Sequence, residues 1–344
     1  MMEQFQPIIN QFNLHNALLT HVTPIEVGHI NQTYKVSTIN GLKRATFILQ
    51  RINTQIFKQP NEVMANIVNV AQFLAQKKYP KTILAPIAAK DKWLVHADGN
   101  YWRMYPFIDN THTFNADSNE AQAYTAAFVF GEYANYLSGF DMRQLHTTIP
   151  DFHHTNLRYQ QFLAAIKNGL SARKKKARTA IDKLLTFQYL LAITKGAHLP
   201  LRVTHNDTKI NNILFDKTSG KAVCIVDLDT LMPGTLLYDY GDMVRTFTPP
   251  QDENSANFDQ IYVRKEILRA LTSGYKDGMK DKMTALEANL LLDGAKLTIF
   301  EQALRFLTDY VLGDVYYKVA NQEQNLIRAK NQICLLESLV STSG

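Results

Sequence analysis

Near residue 109 the hydrophobic period of the chain changes, and that change constrains the fold more than any other feature. Before it, VGHINQTYKVSTI and LKRATFILQRI flank Asn40-Gly41, a dipeptide suited to a tight turn, so the two runs are expected to pair as a β-ribbon. NEVMANIVNVAQFLAQKKY follows Pro60 and carries Val63, Ile67, Val70 and Leu74 at helical spacing, which predicts a helix with one apolar face and proline in its first turn. KTILAPI, KWLVHA and NYWRMYPFI read as three further strands. After Asp109 the pattern is mostly helical: EAQAYTAAFVFGEYANYLSGF, NLRYQQFLAAIKNGL, the 173–195 segment and three long stretches beyond residue 255. Only 201–230 interrupts it, where VTHND and AVCIVDLDT are short apolar strands ending in polar residues. The expected fold class is α+β in two lobes, a small antiparallel β-rich lobe over 1–108 and a larger, mainly helical lobe over 109–344.

A chain of 344 residues with 46% apolar content can bury a large core. Its two cysteines, Cys224 and Cys334, provide neither a disulfide framework nor metal-ligand spacing. MMEQFQPIINQF lacks the basic start and apolar run of a leader, and no stretch reaches the roughly 18 unbroken apolar residues of a membrane span. A soluble, cytoplasmic monomer is expected, with no membrane partner. The net charge of +6 invites a nucleic-acid reading. Much of the excess, however, is one run, Arg173, Lys174, Lys175, Lys176 and Arg178, ahead of the helically spaced Ile181, Leu184, Leu185 and Tyr189. That run reads as a solvated helix start or loop, and an anionic substrate explains mild positive charge equally well, so no nucleic-acid partner is expected.

The densest chemistry lies in VTHNDTKINNILF, where His205 to Lys209, Asn211 and Asn212 stand between short apolar flanks. Asp207 is followed five residues later by Asn212, and Asp227 closes the apolar run VCIV fifteen residues further on. This arrangement suits phosphoryl transfer: one carboxylate orients a hydroxyl and accepts its proton, while an amide oxygen and a second carboxylate hold magnesium against nucleotide phosphates. Lys209 supplies a cation for the transferred phosphate.

HNDTKINNILFD, followed by IVDLDTLMPG and YDYGDMVR, resembles the aminoglycoside phosphotransferase and choline kinase superfamily, whose fold is protein-kinase-like. GHINQTY, LQRIN, DLDTLMPG and RFLTDYVLGDVYYKV are similar to its N-acetylhexosamine 1-kinase branch, so the resemblance covers nearly the whole chain. It implies that Asp207 is the catalytic base, that Asn212 and Asp227 bind magnesium, and that Asp229 either helps the metal or braces the loop. It also implies that His205, Asp239 and Asp242 support the catalytic loop from behind, with Arg245 pairing to one of the two aspartates. WRMYPFI matches the hinge between lobes, near 103–108, where the backbone of Met104 and Tyr105 would meet the adenine of ATP.

The first lobe departs from the kinase pattern. Neither GxG nor GxxxxGK[ST] occurs, and GHINQTY offers one glycine, Gly28. Where the nucleotide lysine should stand, TFILQRIN offers Gln50 or Arg51; Arg51 is favoured, with Glu62 on the next helix as its partner. For the acceptor, Arg305 and Tyr316 are eleven residues apart, which at helical pitch returns within roughly 20° of one direction, with Asp309 between them. The resemblance matches Arg305 and Tyr316 to sugar-contacting positions, with His29 or Asn31 reaching in from the first lobe. The implied activity is ATP- and magnesium-dependent phosphorylation of the anomeric hydroxyl of N-acetylglucosamine or N-acetylgalactosamine. The alternatives are a kinase of an aminoglycoside, choline or homoserine, or a silent nucleotide-binding protein, which the missing lysine suggests.

Overall fold

The computed structural model describes residues 2–343 apart from 26–29, 91, 115–118, 194 and 196. In chain order, α1 (Met2–Ile9), β1 (Leu18–Ile25), β2 (Gln32–Asn40), β3 (Lys43–Arg51), α2 (Pro60–Gln76), β4 (Val95–Ala97), β5 (Asn100–Pro106) and β6 (Thr111–His112) come first. They are followed by α3 (Glu120–Tyr136), α4 (Thr155–Asn168), α5 (Ser171–Lys176) and α6 (Arg178–Thr186). Then come β7 (Arg202–Thr204), β8 (Ile213–Asp216), β9 (Ala222–Ile225) and β10 (Met232–Gly234). The chain finishes with α7 (Leu236–Phe247), α8 (Lys265–Met279), α9 (Ala285–Leu312) and α10 (Gln324–Ser343). Two compact units result, one made of Met1–His112, Gly139–Pro150 and Leu214–Pro233, the other of Thr113–Ser138, Asp151–Ile213 and Gly234–Gly344. Neither is one continuous stretch of sequence.

The first unit is built on an antiparallel sheet in the order β1-β2-β3-β5-β4. Asn40 faces Lys43 across a two-residue turn, and Gly41 sits at φ 60°, a left-handed conformation that costs glycine little. The pleat sends Val36, Leu49, Trp102 and Met104 to one face, where they are buried with Phe5, Ile8, Ile9 and Phe12 from α1 and its exit. Neither α1 nor β1 is signalled by periodicity. α1 has eight residues with Pro7 inside, and the register of β1 slips between Leu19 and His21. KTILAPI, expected as a strand, runs without regular structure over 83–88; Pro86 has no N–H to give a ladder, and the segment is tied down by Ile87 N–H on the Met104 carbonyl at 2.7 Å. In α2 the expected stripe of Val63, Ile67, Val70 and Leu74 is buried.

In the second unit α3 lies along α8, while α4, α7 and α10 pack on the 28-residue α9. The first pair approaches closely because it meets at glycines: a Cβ on Gly131 would stand 2.4 Å from the Tyr275 carbonyl oxygen, and one on Gly278 would stand 2.3 Å from that of Phe128. The 173–195 segment breaks at Ala177 into α5 and α6. Its basic run is met by acids: Arg173 pairs with Asp314, Lys176 with Glu323 at 2.8 Å and Arg178 with Asp182 at 2.8 Å. Among the described residues, no helix is long and apolar enough to cross a membrane.

α9 starts with a reciprocal cap in which the Thr284 hydroxyl accepts the Glu287 N–H and the Glu287 carboxylate accepts the Thr284 N–H. Thr284→Ala should lower stability by about 1 kcal/mol in denaturant unfolding. An unchanged midpoint would show that the cap contributes nothing.

Candidate active site

Asp207, Lys209 and Asn212 come together on the loop after β7, and the shape of that loop is set from α7. Asp239, in the first turn of α7, accepts the His205 N–H at 3.0 Å and the Asn206 N–H at 2.7 Å on its two carboxylate oxygens, and its carbonyl accepts the Thr208 hydroxyl at 2.6 Å. These bonds hold Asn206 at φ 63°, a left-handed turn that asparagine tolerates. Burial raises the Asp239 carboxyl above its ordinary pKa against the opposing effect of the two N–H bonds. His205 is buried edge-on to Phe130, ring centroids 5.5 Å apart, and its Nδ1 accepts the Asp207 N–H at 3.3 Å.

The Asp207 carboxylate therefore projects from a rigid backbone. Lys209 Nζ lies 2.8 Å from one of its oxygens. Asn212 Nδ2 donates to the other at 2.9 Å and to the Asp207 carbonyl at 2.8 Å, which leaves the Asn212 amide oxygen as a hard donor for a cation. Burial alone would push the Asp207 carboxyl up, but Lys209, His205 and Asn212 outweigh it and hold it below the ordinary value. Asp207 and Asp242 in turn raise the Lys209 ammonium. The group is thus an ionised carboxylate and a charged lysine across the neutral range.

Asp242 pairs with Arg245 at 2.8 Å, and Arg245 reaches on to Glu253 at 2.7 Å. Glu253, which no motif singles out, sits in the loop after α7. Burial favours its neutral form, yet Arg245, Lys209 and Arg328 keep its carboxyl below the ordinary value.

The expected polar stripe on α9 is corrected by the end of that helix. α9 stops at Leu312 and Gly313 takes φ 106°, so Tyr316 lies beyond the helix. Asp309 is buried and structural: its carboxylate accepts the N–H groups of Val315, Tyr316 and Tyr317 at 2.9, 2.8 and 3.0 Å, and Asn325 Nδ2 at 2.9 Å. The turn it builds brings Tyr316 back by another route. The Arg305 guanidinium lies 5.8 Å from the Tyr316 ring centre, 5.7 Å from Tyr317 and 5.4 Å from Phe152. Tyr317 and Phe152 are additions that helical spacing could not supply.

In the first unit, β9 stops at Ile225 and Asp227 turns left-handed at φ 59°, ψ 57°, so Asp229 is not on a continued strand. Asp227 is exposed and Asp229 is buried. One Asp229 oxygen meets Arg103 of β5, and the other accepts Asn31 Nδ2. Arg103 Nε also donates to Gln50 at 2.9 Å. Register explains which strand residue reaches this cluster: Gln50 faces Arg103, whereas Arg51 faces Trp102 and shares the sheet side that α1 covers. Among the described residues Arg51 makes no ion pair with Glu62, whose carboxylate lies 3.9 Å from His146. The buried cation is Arg103; the one sign of it in the sequence is an arginine inside the otherwise apolar WRMYPFI.

Of the other expected residues, Met104 has its carbonyl engaged by Ile87 N–H, and burial raises the Tyr105 phenol. His29 lies outside the described residues. Among the described residues no group of three or more His, Cys, Asp or Glu forms a metal cluster. The hard oxygens that magnesium chemistry would use are, in the first unit, the exposed Asp227 carboxylate and, in the second, the Asn212 amide.

Comparison with known proteins gives the family and the fold. The family model described as APH, phosphotransferase enzyme family, matches residues 21–275. Spectinomycin phosphotransferase APH(9)-Ia, solved with ADP and spectinomycin, is 13% identical over 100% of this chain and 98% of its own, with a TM-score of 0.65. The GDP and kanamycin complex of an APH(2″) enzyme is 15% identical over 100% of both chains, with a TM-score of 0.63. Plasmodium vivax ethanolamine kinase is 14% identical over 92% of this chain and 83% of its own, with a TM-score of 0.56. These likenesses show a kinase-like fold, a β-sheet unit with a helical one. With the family model matching most of its length, the chain belongs to the APH phosphotransferase enzyme family.

Proposed function

We propose that this phosphotransferase is an ATP- and magnesium-dependent kinase that phosphorylates the anomeric hydroxyl of an N-acetylhexosamine, N-acetylglucosamine or N-acetylgalactosamine, to the 1-phosphate. Family membership makes it a small-molecule phosphotransferase with a hydroxyl acceptor; the sugar and the nucleotide are the proposal. ATP is supported by relatives solved with ADP or GDP. The observation that carries the acceptor assignment is Arg305 set among Phe152, Tyr316 and Tyr317. A neutral sugar needs directed donors beside flat apolar surface, and this group offers both.

In this reading Asp207 orients the acceptor hydroxyl and takes its proton. An anomeric hydroxyl is more acidic than an ordinary alcohol, so a carboxylate of low pKa suffices as a late base. Lys209 leaves Asp207 for the transferred phosphate, and Asp239 keeps the loop in place while it does so. Magnesium would supply neutralisation of phosphate charge, and the residues offered to hold it are Asp227 of the first unit and Asn212 of the second.

Turnover of magnesium ATP over a panel of hydroxyl compounds tests the assignment. Activity confined to N-acetylhexosamines supports it. Preference for ethanolamine, choline, homoserine or an aminoglycoside replaces it, and no transfer to any acceptor means a silent protein. Arg305→Ala should raise the Michaelis constant for the sugar about three- to twelvefold, the loss of one hydrogen bond, and leave that for ATP unchanged. If both constants rise together, Arg305 serves the fold or the nucleotide.

A further inference from the structure

The turn that carries Asp227 is held by an assembly that the expected kinase parts do not include. Arg103 is 2% exposed and Asp229 3% exposed, so this ion pair is sealed from solvent. Every polar partner lies close: Gln50 on Arg103 Nε, Met64 Sδ at 3.8 Å from Arg103 Nη1, and Asn31 on the second Asp229 oxygen. The Asn31 amide oxygen in turn accepts the Asn53 N–H at 2.9 Å. From α2, Asn66 Nδ2 donates to the Leu231 carbonyl at 2.8 Å and to that of His146 at 2.8 Å. The turn is therefore pinned on both sides, at Asp229 and at Leu231, immediately after a left-handed Asp227. A non-glycine residue in that conformation is held there by its surroundings.

We propose that the buried Arg103–Asp229 pair, pinned by Asn31, fixes the turn that presents Asp227 to a cation, with Arg103 a positioning residue for Asp227. Arg103 is buried, with Nε on Gln50 and Nη1 on Asp229, so its role in this proposal is to hold the turn. In this proposal Asp229 is the bracing carboxylate, buried with one oxygen on Arg103 and the other on Asn31. Arg103 offsets one of two neighbouring carboxylates, Asp227 and Asp229, and its own charge is stabilised by both. One net negative charge remains, on the exposed Asp227, where a cation can use it. Replacing a residue that holds a metal carboxylate in place typically weakens metal affinity about 10- to 100-fold.

This inference rests on the kinase reading, so its test measures binding. Titration calorimetry of ADP with and without magnesium, together with thermal melting, is to be run on the full chain as wild type, Arg103→Met/Asp229→Leu and Asn31→Ala. Removing both charges strands neither one, so the double variant should melt close to wild type. It should nevertheless lose at least about tenfold of the affinity that magnesium adds for ADP, with metal-free affinity unchanged. Asn31→Ala, which leaves the pair intact, should show a smaller loss in the same sense, and it decides the matter if the double variant does not fold. Wild-type magnesium dependence in folded variants overturns the inference alone. Absence of any magnesium-dependent ADP binding in the wild type overturns it together with the kinase reading.

Discussion

Asp207→Asn should lower kcat by about 10²- to 10⁴-fold and leave the affinity for nucleotide near wild type. The amide keeps the shape of the carboxylate but neither accepts a proton nor pairs with Lys209, which now lies 2.8 Å away. The backbone should not respond, because the loop is held by Asp239 through His205, Asn206 and Thr208, while the Asp207 carboxylate meets the side chains of Asn212 and Lys209. In the proposed mechanism the change therefore falls on the reacting hydroxyl. Near-normal turnover would remove Asp207 from the mechanism, and a parallel loss of nucleotide affinity would make it part of the binding surface.

Asp227→Asn should act on the other side of the reaction. If Asp227 holds the metal, as proposed, losing its carboxylate should cost several kcal/mol, a drop of roughly a hundredfold or more in magnesium-dependent nucleotide affinity, with kcat falling as well. Asparagine is the informative replacement because Asp227 stands at φ 59°, where asparagine is tolerated and alanine is strained. The contrast between the variants separates base from metal carboxylate. Equal retention of magnesium-dependent binding in Asp227→Asn and wild type would show that the metal is held elsewhere.

The features legible in the sequence are those set by local chemistry. Asn40-Gly41 announces the β2–β3 hairpin because a two-residue turn needs a left-handed position, and the stripe from Val63 to Leu74 announces α2 because one face must be buried. The spacing from Asp207 to Asn212 sits on a loop too short to separate them, so it survives folding intact. Signals that depend on distant partners do not read this way. KTILAPI has the composition of a strand, but its neighbours leave it only a bridge from Thr82 to Cys224. Asp229 stands two residues after Asp227, a spacing that would share one face if the strand continued, and the left-handed turn between strand and helix-like segment sends it to Arg103 instead. Whether Gln50 or Arg51 turns toward that cluster depends on register with β5, which strand alternation alone leaves open. Arg305 and Tyr316 do lie near one another, but through the turn that Asp309 caps and not along a helix.

The central claim is transfer of the ATP γ-phosphoryl group to an anomeric oxygen, and the product reports it directly. N-acetylglucosamine labelled with carbon-13 at C1 can be incubated with magnesium ATP and the protein, and the product examined by phosphorus and carbon magnetic resonance. Phosphorus coupled to the labelled C1, appearing in step with ADP, is the predicted result. Phosphate on any other hydroxyl, or ADP released without a sugar phosphate, contradicts it.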